Sequence, residues 1–240
     1  MNGIDYDPIH DRIVLSCPRM DEVWVIDHST TTAEAKGSTG GRWKRGGDLL
    51  YRWGNPAAYD SGTAANQVLG FQHSPTFILK GMSGAGNILL FNNRYTTVKS
   101  SVLEFKPPLD ASGAFLPRVG GVYGPAAPVW TYSAAGFYSA IISSARRLPN
   151  GNTLVCSGTQ RWIFEVTPGG KRVWEYTVPG RPQSSNYMFQ AQYVDRTLWA
   201  SEATLSVSAG GTVGFDLVAG TPRAGDMRLV LASVSGTSPG

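Results

Sequence analysis

The chain has 240 residues, 42% of them hydrophobic, with 29 glycines and a formal charge of +4, and its pI is about 9.1. That is enough apolar chain to bury a sizeable core. Its basic residues stand singly or in pairs, which excludes the clustered basic face that nucleic acid demands and leaves small anions open as partners. No apolar stretch approaches the roughly 18 residues needed to span a bilayer, and the N-terminus lacks the charged-then-apolar pattern of a signal peptide.

Short runs alternating large β-branched or aromatic residues with polar ones predict strands in sets of four. The first set is Gly3-Ile4-Asp5-Tyr6, Arg12-Ile13-Val14-Leu15-Ser16, Glu22-Val23-Trp24-Val25-Ile26-Asp27 and Tyr51-Arg52-Trp53. The second set runs from His73-Ser74-Pro75-Thr76-Phe77-Ile78-Leu79 through Asn87-Ile88-Leu89-Leu90-Phe91 and Ser101-Val102-Leu103-Glu104-Phe105 to Trp130-Thr131-Tyr132. In the third, Ile142 to Leu148 is followed by Asn152-Thr153-Leu154-Val155-Cys156, Trp162-Ile163-Phe164-Glu165-Val166 and Trp174-Glu175-Tyr176. The recurring aromatic, spacer, aromatic triplet ends each set and marks an internal repeat. An all-β fold follows: a partial β-propeller of three four-stranded blades. Three blades cannot close a ring, since propellers use about four to eight.

Asn150-Gly151 predicts a type I′ hairpin turn, and Pro168-Gly169-Gly170 a second hairpin. The paired aromatics of each last strand share a sheet face, so we assign them to the gaps between blades rather than to a stacking platform. Cys17 and Cys156 fall close to equivalent points of different blades, too far apart for a disulfide. With three histidines and no metal-ligand spacing, neither a zinc site nor a cofactor is expected. His28 reads as a turn residue capping backbone groups, and His10 as exposed beside Asp11.

Three stretches, Glu22 to Thr31, Gly47 to Pro56 and Arg147 to Leu154, resemble the arylsulfotransferase family of bacterial β-propellers. The likeness spans about residues 2 to 180. A fourth blade begins at Tyr187 to Val194 and then stops repeating. From about Thr204 the runs Thr204 to Ser208, Gly210 to Leu217 and Arg228 to Val234 resemble the start of a small β module of exported bacterial proteins. The expected domains are therefore blades over 1–200 and the start of a C-terminal module over 201–240, with both ends cut from a longer protein.

The resemblance implies sulfuryl transfer from a phenolic sulfate ester to a phenol through a histidine intermediate, which splits one hard displacement into two easier ones. Cationic donors lining the central channel would stabilise the charge spread over the sulfuryl oxygens. Gln72-His73 matches the family's inner-strand motif, so His73 is the catalytic candidate. Phe91-Asn92-Asn93-Arg94 resembles the family's sulfate-binding loop, which makes Asn92 and Arg94 substrate-binding candidates. Arg19, at the matching place in the first set, and Arg146 complete the list, although Arg19 and Arg94 equally suit bonding of loop carbonyls, and the pair Arg146-Arg147 suits a solvated face. The family's first-strand histidine has no counterpart here. No histidine occurs after His73; Tyr138, Ser139, Ser143, Ser144 and Arg146 are the polar residues available where the family's nucleophile is expected.

Two functions follow as expectations. One is an arylsulfotransferase acting on a small aromatic sulfate or phenol; the other is a non-catalytic propeller serving as a binding or structural module of an exported protein. The resemblance implies a periplasmic or extracellular location and, as partners, the remaining blades of the parent protein.

Overall fold

The computed structural model describes residues 1–180 and 187–193, together with the strands Arg196–Ala200 and Phe215–Ala219. Twelve strands form three four-stranded antiparallel sheets in simple chain order. Blade 1 contains β1 (Ile4–Asp7), β2 (Arg12–Cys17), β3 (Glu22–Asp27) and β4 (Tyr51–Trp53); blade 2 contains β5 (His73–Phe77), β6 (Ile88–Thr96), β7 (Lys99–Phe105) and β8 (Trp130–Tyr132). Blade 3 follows with β9 (Ser144–Arg147), β10 (Thr153–Ser157), β11 (Trp162–Val166) and β12 (Arg172–Thr177). These are three successive blades of a β-propeller, with β1, β5 and β9 as the inner strands.

The strand registers superimpose the blades residue by residue. Val14↔Val25↔Tyr51 in blade 1 answers to Leu89↔Glu104↔Trp130 in blade 2 and to Leu154↔Glu165↔Trp174 in blade 3. Because side chains alternate between sheet faces, each blade has a leading face toward the blade before it and a trailing face toward the blade after it. Val14, Val23, Val25, Tyr51 and Trp53 of blade 1 form one core with Ile88, Leu90, Leu103 and Phe105 of blade 2. The same positions one blade on, Leu89, Phe91, Val102 and Tyr132, pack against Val155, Phe164 and Val166 of blade 3.

The paired aromatics fill these gaps as expected. Trp53 stacks on Phe105 at 4.1 Å and Tyr51 on Phe115 at 4.6 Å, and their polar tips reach carbonyls: Trp53 Nε1 donates to Pro125 O at 2.8 Å and Tyr51 Oη to Gly124 O at 2.5 Å. Tyr132 meets Phe164 of the next blade at 5.6 Å. Trp174 and Tyr176 differ, each being 49% exposed.

At the inner strands the approach is closer still. A Cβ on Gly3 would lie 2.7 Å from Pro75 Cδ and 2.8 Å from the Ser74 backbone, so only glycine allows the start of β1 to reach β5. Asp5 then crosses the gap and accepts from the Phe77 N–H at 2.8 Å.

Several sequence expectations need correction. Among the positions with positive φ, the β9–β10 connection includes Gly151 (φ 86°) but not Asn150. Gly151 N–H bonds Leu148 O at 3.0 Å and Leu148 N–H bonds Asn152 O at 2.8 Å. That is a three-residue loop, a type I turn with Pro149 at its second position followed by a left-handed glycine, rather than a type I′ pair. Thr167 to Lys171 repeats the pattern around Gly170. Residues 187–193, within the run where the fourth blade was expected to begin, form no strand; Val194 lies outside the described residues. The runs at 204–208 and 228–234 lie outside the described residues, as does the first part of 210–217. Arg147 is not solvated: it is buried in an ion pair with Glu104. His10 is likewise drawn inward, its ring 2.7 Å from Asp7 Oδ2 and 6.2 Å from the Trp43 ring. His28 is exposed, but its ring bonds the Asp11 carboxylate at 2.7 Å rather than backbone. Cys17 and Cys156 are both free and buried, and burial pushes the Cys156 thiol up to about 12.

Two compact units divide the chain, Met1–Gln192 with the blades and Tyr193–Gly240. The second contains an antiparallel pair, β13 (Arg196–Ala200) and β14 (Phe215–Ala219). No described helix is long and apolar enough to cross a membrane.

Candidate functional site

The inner strand of blade 2 is irregular where it carries its histidine. Pairing of β5 with β6 slips between His73 and Thr76, which accommodates Pro75 in a strand otherwise fully paired. Phe71 and Ser74 flank His73 with φ of 52° and 50°, and opposite them Ile142 and Ser143 have φ of 53° and 92°. Positive φ is costly for residues with a Cβ, most of all a β-branched one. Four such residues therefore surround one imidazole.

His73 is 4% exposed. Its Nδ1 lies 2.7 Å from Asn93 Oδ1 and 3.1 Å from Phe71 O, while Nε2 accepts the Ile142 N–H at 3.0 Å. A backbone N–H only donates, so the Nε2 lone pair faces Ile142 and the proton sits on Nδ1. Burial holds the pKa of His73 below its ordinary value, against the opposing bonds to Asn93 and Phe71 O. Asn93 ties both sides together, its Nδ2 donating to Ser139 O at 2.7 Å and Ile142 O at 2.8 Å.

Ser139 and Ser143 belong to a buried hydroxyl network. Ser143 Oγ donates to Ser139 Oγ at 2.9 Å and accepts from Gly158 N–H at 2.9 Å. Ser100 Oγ joins it, accepting from Ser139 N–H at 2.9 Å. Ser144 Oγ accepts from Ala191 N–H at 3.3 Å.

Two cavities lie near His73, which lines neither. The first, about 370 Å³, is lined by Arg19, Arg94, Phe71, Asp21 and Gln67, with Pro18 and Gly70. Arg19 follows β2, Arg94 lies near the far end of β6, and both side chains are exposed. Among the described residues neither guanidinium makes a hydrogen bond or ion pair, but Arg94 rests on the Phe71 ring with Cζ 4.4 Å from its centroid. Asp21 is engaged elsewhere, accepting from Phe71 N–H at 2.6 Å and from Gln67 Nε2 at 3.0 Å. Phe71 separates this cavity from the imidazole, 6.1 Å between ring centroids.

Asn92 stands behind the cavity wall and is fully buried. It accepts from Gly70 N–H at 2.7 Å and donates to Val68 O at 3.2 Å, so it shapes the loop that enters β5.

The second cavity, about 520 Å³, opens among the inner strands and is lined by Asn2, Ile4, Thr76, Ser144, Arg146 and Phe189, among others. Phe189 lies 6.0 Å from the His73 ring. Arg146 is half-buried and makes no hydrogen bond or ion pair among the described residues. Its charge acts on Asp5: burial raises this carboxyl, against the Phe77 N–H bond and the Arg146 charge.

The structure thus brings Arg19 and Arg94 into one cavity, places His73 one ring deeper and puts Arg146 in a separate cavity. Sequence reasoning missed Phe71, Asn93, Phe189 and the backbone strap at Ile142–Ser143, of which it named only the Ser143 hydroxyl. Asn93 stood inside the Phe-Asn-Asn-Arg string, the one local signal available; the strap carries no residue type that marks it.

The profile of the family described as Arylsulfotransferase (ASST) matches residues 1–206. Among curated proteins nothing matches the chain. Similar solved structures include a protein of unknown function from Bacteroides caccae, 14% identical, covering 91% of this chain and 60% of that one with a TM-score of 0.44. Virginiamycin B lyase from Staphylococcus aureus is 13% identical, over 89% of this chain and 54% of that one, TM-score 0.39. A streptogramin B lyase is 11% identical, over 90% and 67%, TM-score 0.35. This chain spans 60% and 54% of the first two of these.

Proposed function

Since the chain belongs to the arylsulfotransferase family, we propose that its blades bind a phenolic sulfate ester in the Arg19–Arg94 cavity and pass the sulfuryl group to a phenol. What supports this most is the convergence of two guanidiniums from repeat-equivalent places on one cavity beside an aromatic ring. Their donors are free for an ester sulfate, and the Phe71 ring offers a surface for the aryl group.

His73 is the proposed carrier. Its Nδ1–H is held by Asn93, which leaves the Nε2 lone pair as nucleophile. The N–S bond forms as the S–O bond breaks, the electron pair leaving with the first phenolate. The oxygen of the second phenol then attacks sulfur, the pair of the N–S bond returns to Nε2, and the phenol proton passes to the departed phenolate or to water. The attack requires Nε2 to be released from Ile142 and the Phe71 ring to leave the path between the imidazole and the cavity, so the Ile142–Ser143 strap and Phe71 are the parts that move. The family implies that this happens in the periplasm or outside the cell.

One observation favours the second reading, a non-catalytic binding module: both ring nitrogens of His73 are already engaged by the protein. One experiment separates the two. Release of a chromogenic phenol from its sulfate ester, with a second phenol as acceptor, is expected to depend on acceptor, to vanish in His73→Gln and to show KM raised about tenfold or more in Arg94→Ala. Saturable binding of the ester without release, from folded protein, would establish the binding module instead.

A further inference from the structure

The cavity that brings Arg19 and Arg94 together holds a third charge, the carboxylate of Asp21. Among the described residues it makes no ion pair with either guanidinium. Two uncharged donors hold it instead: the Phe71 N–H on Oδ1 at 2.6 Å and Gln67 Nε2 on Oδ2 at 3.0 Å. Gln67 is itself anchored, donating to Leu69 O at 2.8 Å. Both carboxylate oxygens are thereby fixed in the cavity wall, and neither is spent on an arginine.

Nothing local demands an acid there. Asp21 ends the β2–β3 turn with φ of 53°, a conformation that Asn adopts as readily as Asp. The Phe71 N–H needs only an acceptor, which an amide oxygen also supplies. The equivalent turn between β10 and β11, set by the pairings Cys17↔Glu22 and Ser157↔Trp162, carries Arg161 at the same place with φ of 56°. The turn accepts a cation as well as an anion, so what Asp21 adds beyond an amide is chiefly its negative charge.

That charge bears on which anion the cavity takes. Two guanidiniums against one carboxylate leave one net positive charge. Attraction to such a site grows in proportion to the ligand's charge, whereas the desolvation cost of the ligand grows with its square. A dianion is therefore drawn about twice as strongly as a monoanion at about four times the desolvation cost. Without the acid the attraction would double, and the dianion would gain most. On the reading of this cavity as the ester-binding site, we propose that Asp21 is its specificity residue, admitting singly charged sulfate monoesters and disfavouring doubly charged phosphate monoesters of the same shape.

Benzenesulfonate and phenylphosphonate are suitable probes. They share an aryl ring and a tetrahedral head, carry one and two charges at pH 8.5, and have no ester oxygen to lose. NMR titration of the whole chain at low ionic strength should show tighter binding of the sulfonate. Asp21→Asn should tighten both ligands, the phosphonate more, so that the preference for the sulfonate falls by about threefold to tenfold, the size of one like-charge interaction in a partly solvated cavity. The difference between the two proteins should fade in about 0.5 M salt, because charge is screened and shape is not. The monomethyl ester of phenylphosphonate, a monoanion, should bind the unmodified chain better than the dianion does, a result that does not depend on the variant folding. A preference unchanged in Asp21→Asn, or altered equally in high salt, would overturn the proposal, as would a monomethyl ester bound no better than the dianion. Benzenesulfonate that fails to bind, or binds equally well to Arg94→Ala, would instead refute the cavity as the ester site and take the proposal with it.

Discussion

The imidazole of His73 is held by the protein at both ring nitrogens, and its constraint has a sign. Burial lowers its pKa below the ordinary 6.5, with Asn93 and Phe71 O acting the other way. The folded state therefore prefers the neutral ring. Its contribution to stability is fully present above the unfolded pKa and declines as pH falls below about 6.5, until the folded ring also protonates. Urea unfolding at pH 7.5 and 5.5 should show a loss of stability at the lower pH that shrinks in His73→Gln. The substitution itself should cost about 1–3 kcal/mol at pH 7.5, because Asn93 or the Ile142 N–H is left without its partner. Nitrogen NMR at pH 7 should find the proton on Nδ1; an Nε2 proton would contradict the Ile142 contact. None of this was visible in the string Gln72-His73, since what holds the ring arrives from residues 93 and 142, far along the chain.

Strands and turns were more legible, because their causes are local. The alternation in Arg12 to Ser16, Asn87 to Phe91 and Asn152 to Cys156 needs only period two and a neighbour, and all three became second strands. The turn at Asn150-Gly151 was located correctly but mistyped, because Pro149 decides its geometry by fitting the second position of a type I turn. For Tyr187 to Val194, alternation promised a strand, but residues 187–193 form none; Phe189 lines the second cavity and Met188 N–H bonds Gly158 O at 3.2 Å. The paired aromatics give the sharpest test at this scale. Trp53 is 2% exposed and Trp174 is 49% exposed, although they belong to the same repeated pair of positions. Under dilute, monomeric conditions Trp53→Ala should cost about 3–5 kcal/mol, and Trp174→Ala about 1 kcal/mol or less. Chemical denaturation of the two variants measures this; equal costs would show that blade 3 is covered in the monomer.

Across the whole blade stack, one interface position has been solved in two ways. Between blades 1 and 2, Val25 meets Phe77 in an apolar core; between blades 2 and 3, the equivalent residues are Glu104 and Arg147, a buried ion pair. The repeat was readable from the sequence, but the pair was not, because alignment shows which positions correspond and not which residues face each other across a gap. Arg147 also bonds Gly151 O at 2.9 Å and lies over Trp130 with Cζ 5.6 Å from the ring centroid, so its charge is served from three sides. Removing one partner strands the other: Glu104→Ala should destabilise the chain by about 3–5 kcal/mol, leaving a guanidinium uncompensated in a closed interface. A buried pair is weak evidence of net stabilisation, however, since apolar replacements of similar volume are often neutral. The repeat supplies its own replacement. Transplanting the blade 1–2 solution as Glu104→Val with Arg147→Phe should recover most of the loss, to within about 1–2 kcal/mol of the parent in urea unfolding. If the double variant is no more stable than Glu104→Ala, then Gly151 and Asn87, which lose their partners in the exchange, depend on the ion pair, and the blades are not interchangeable at this position.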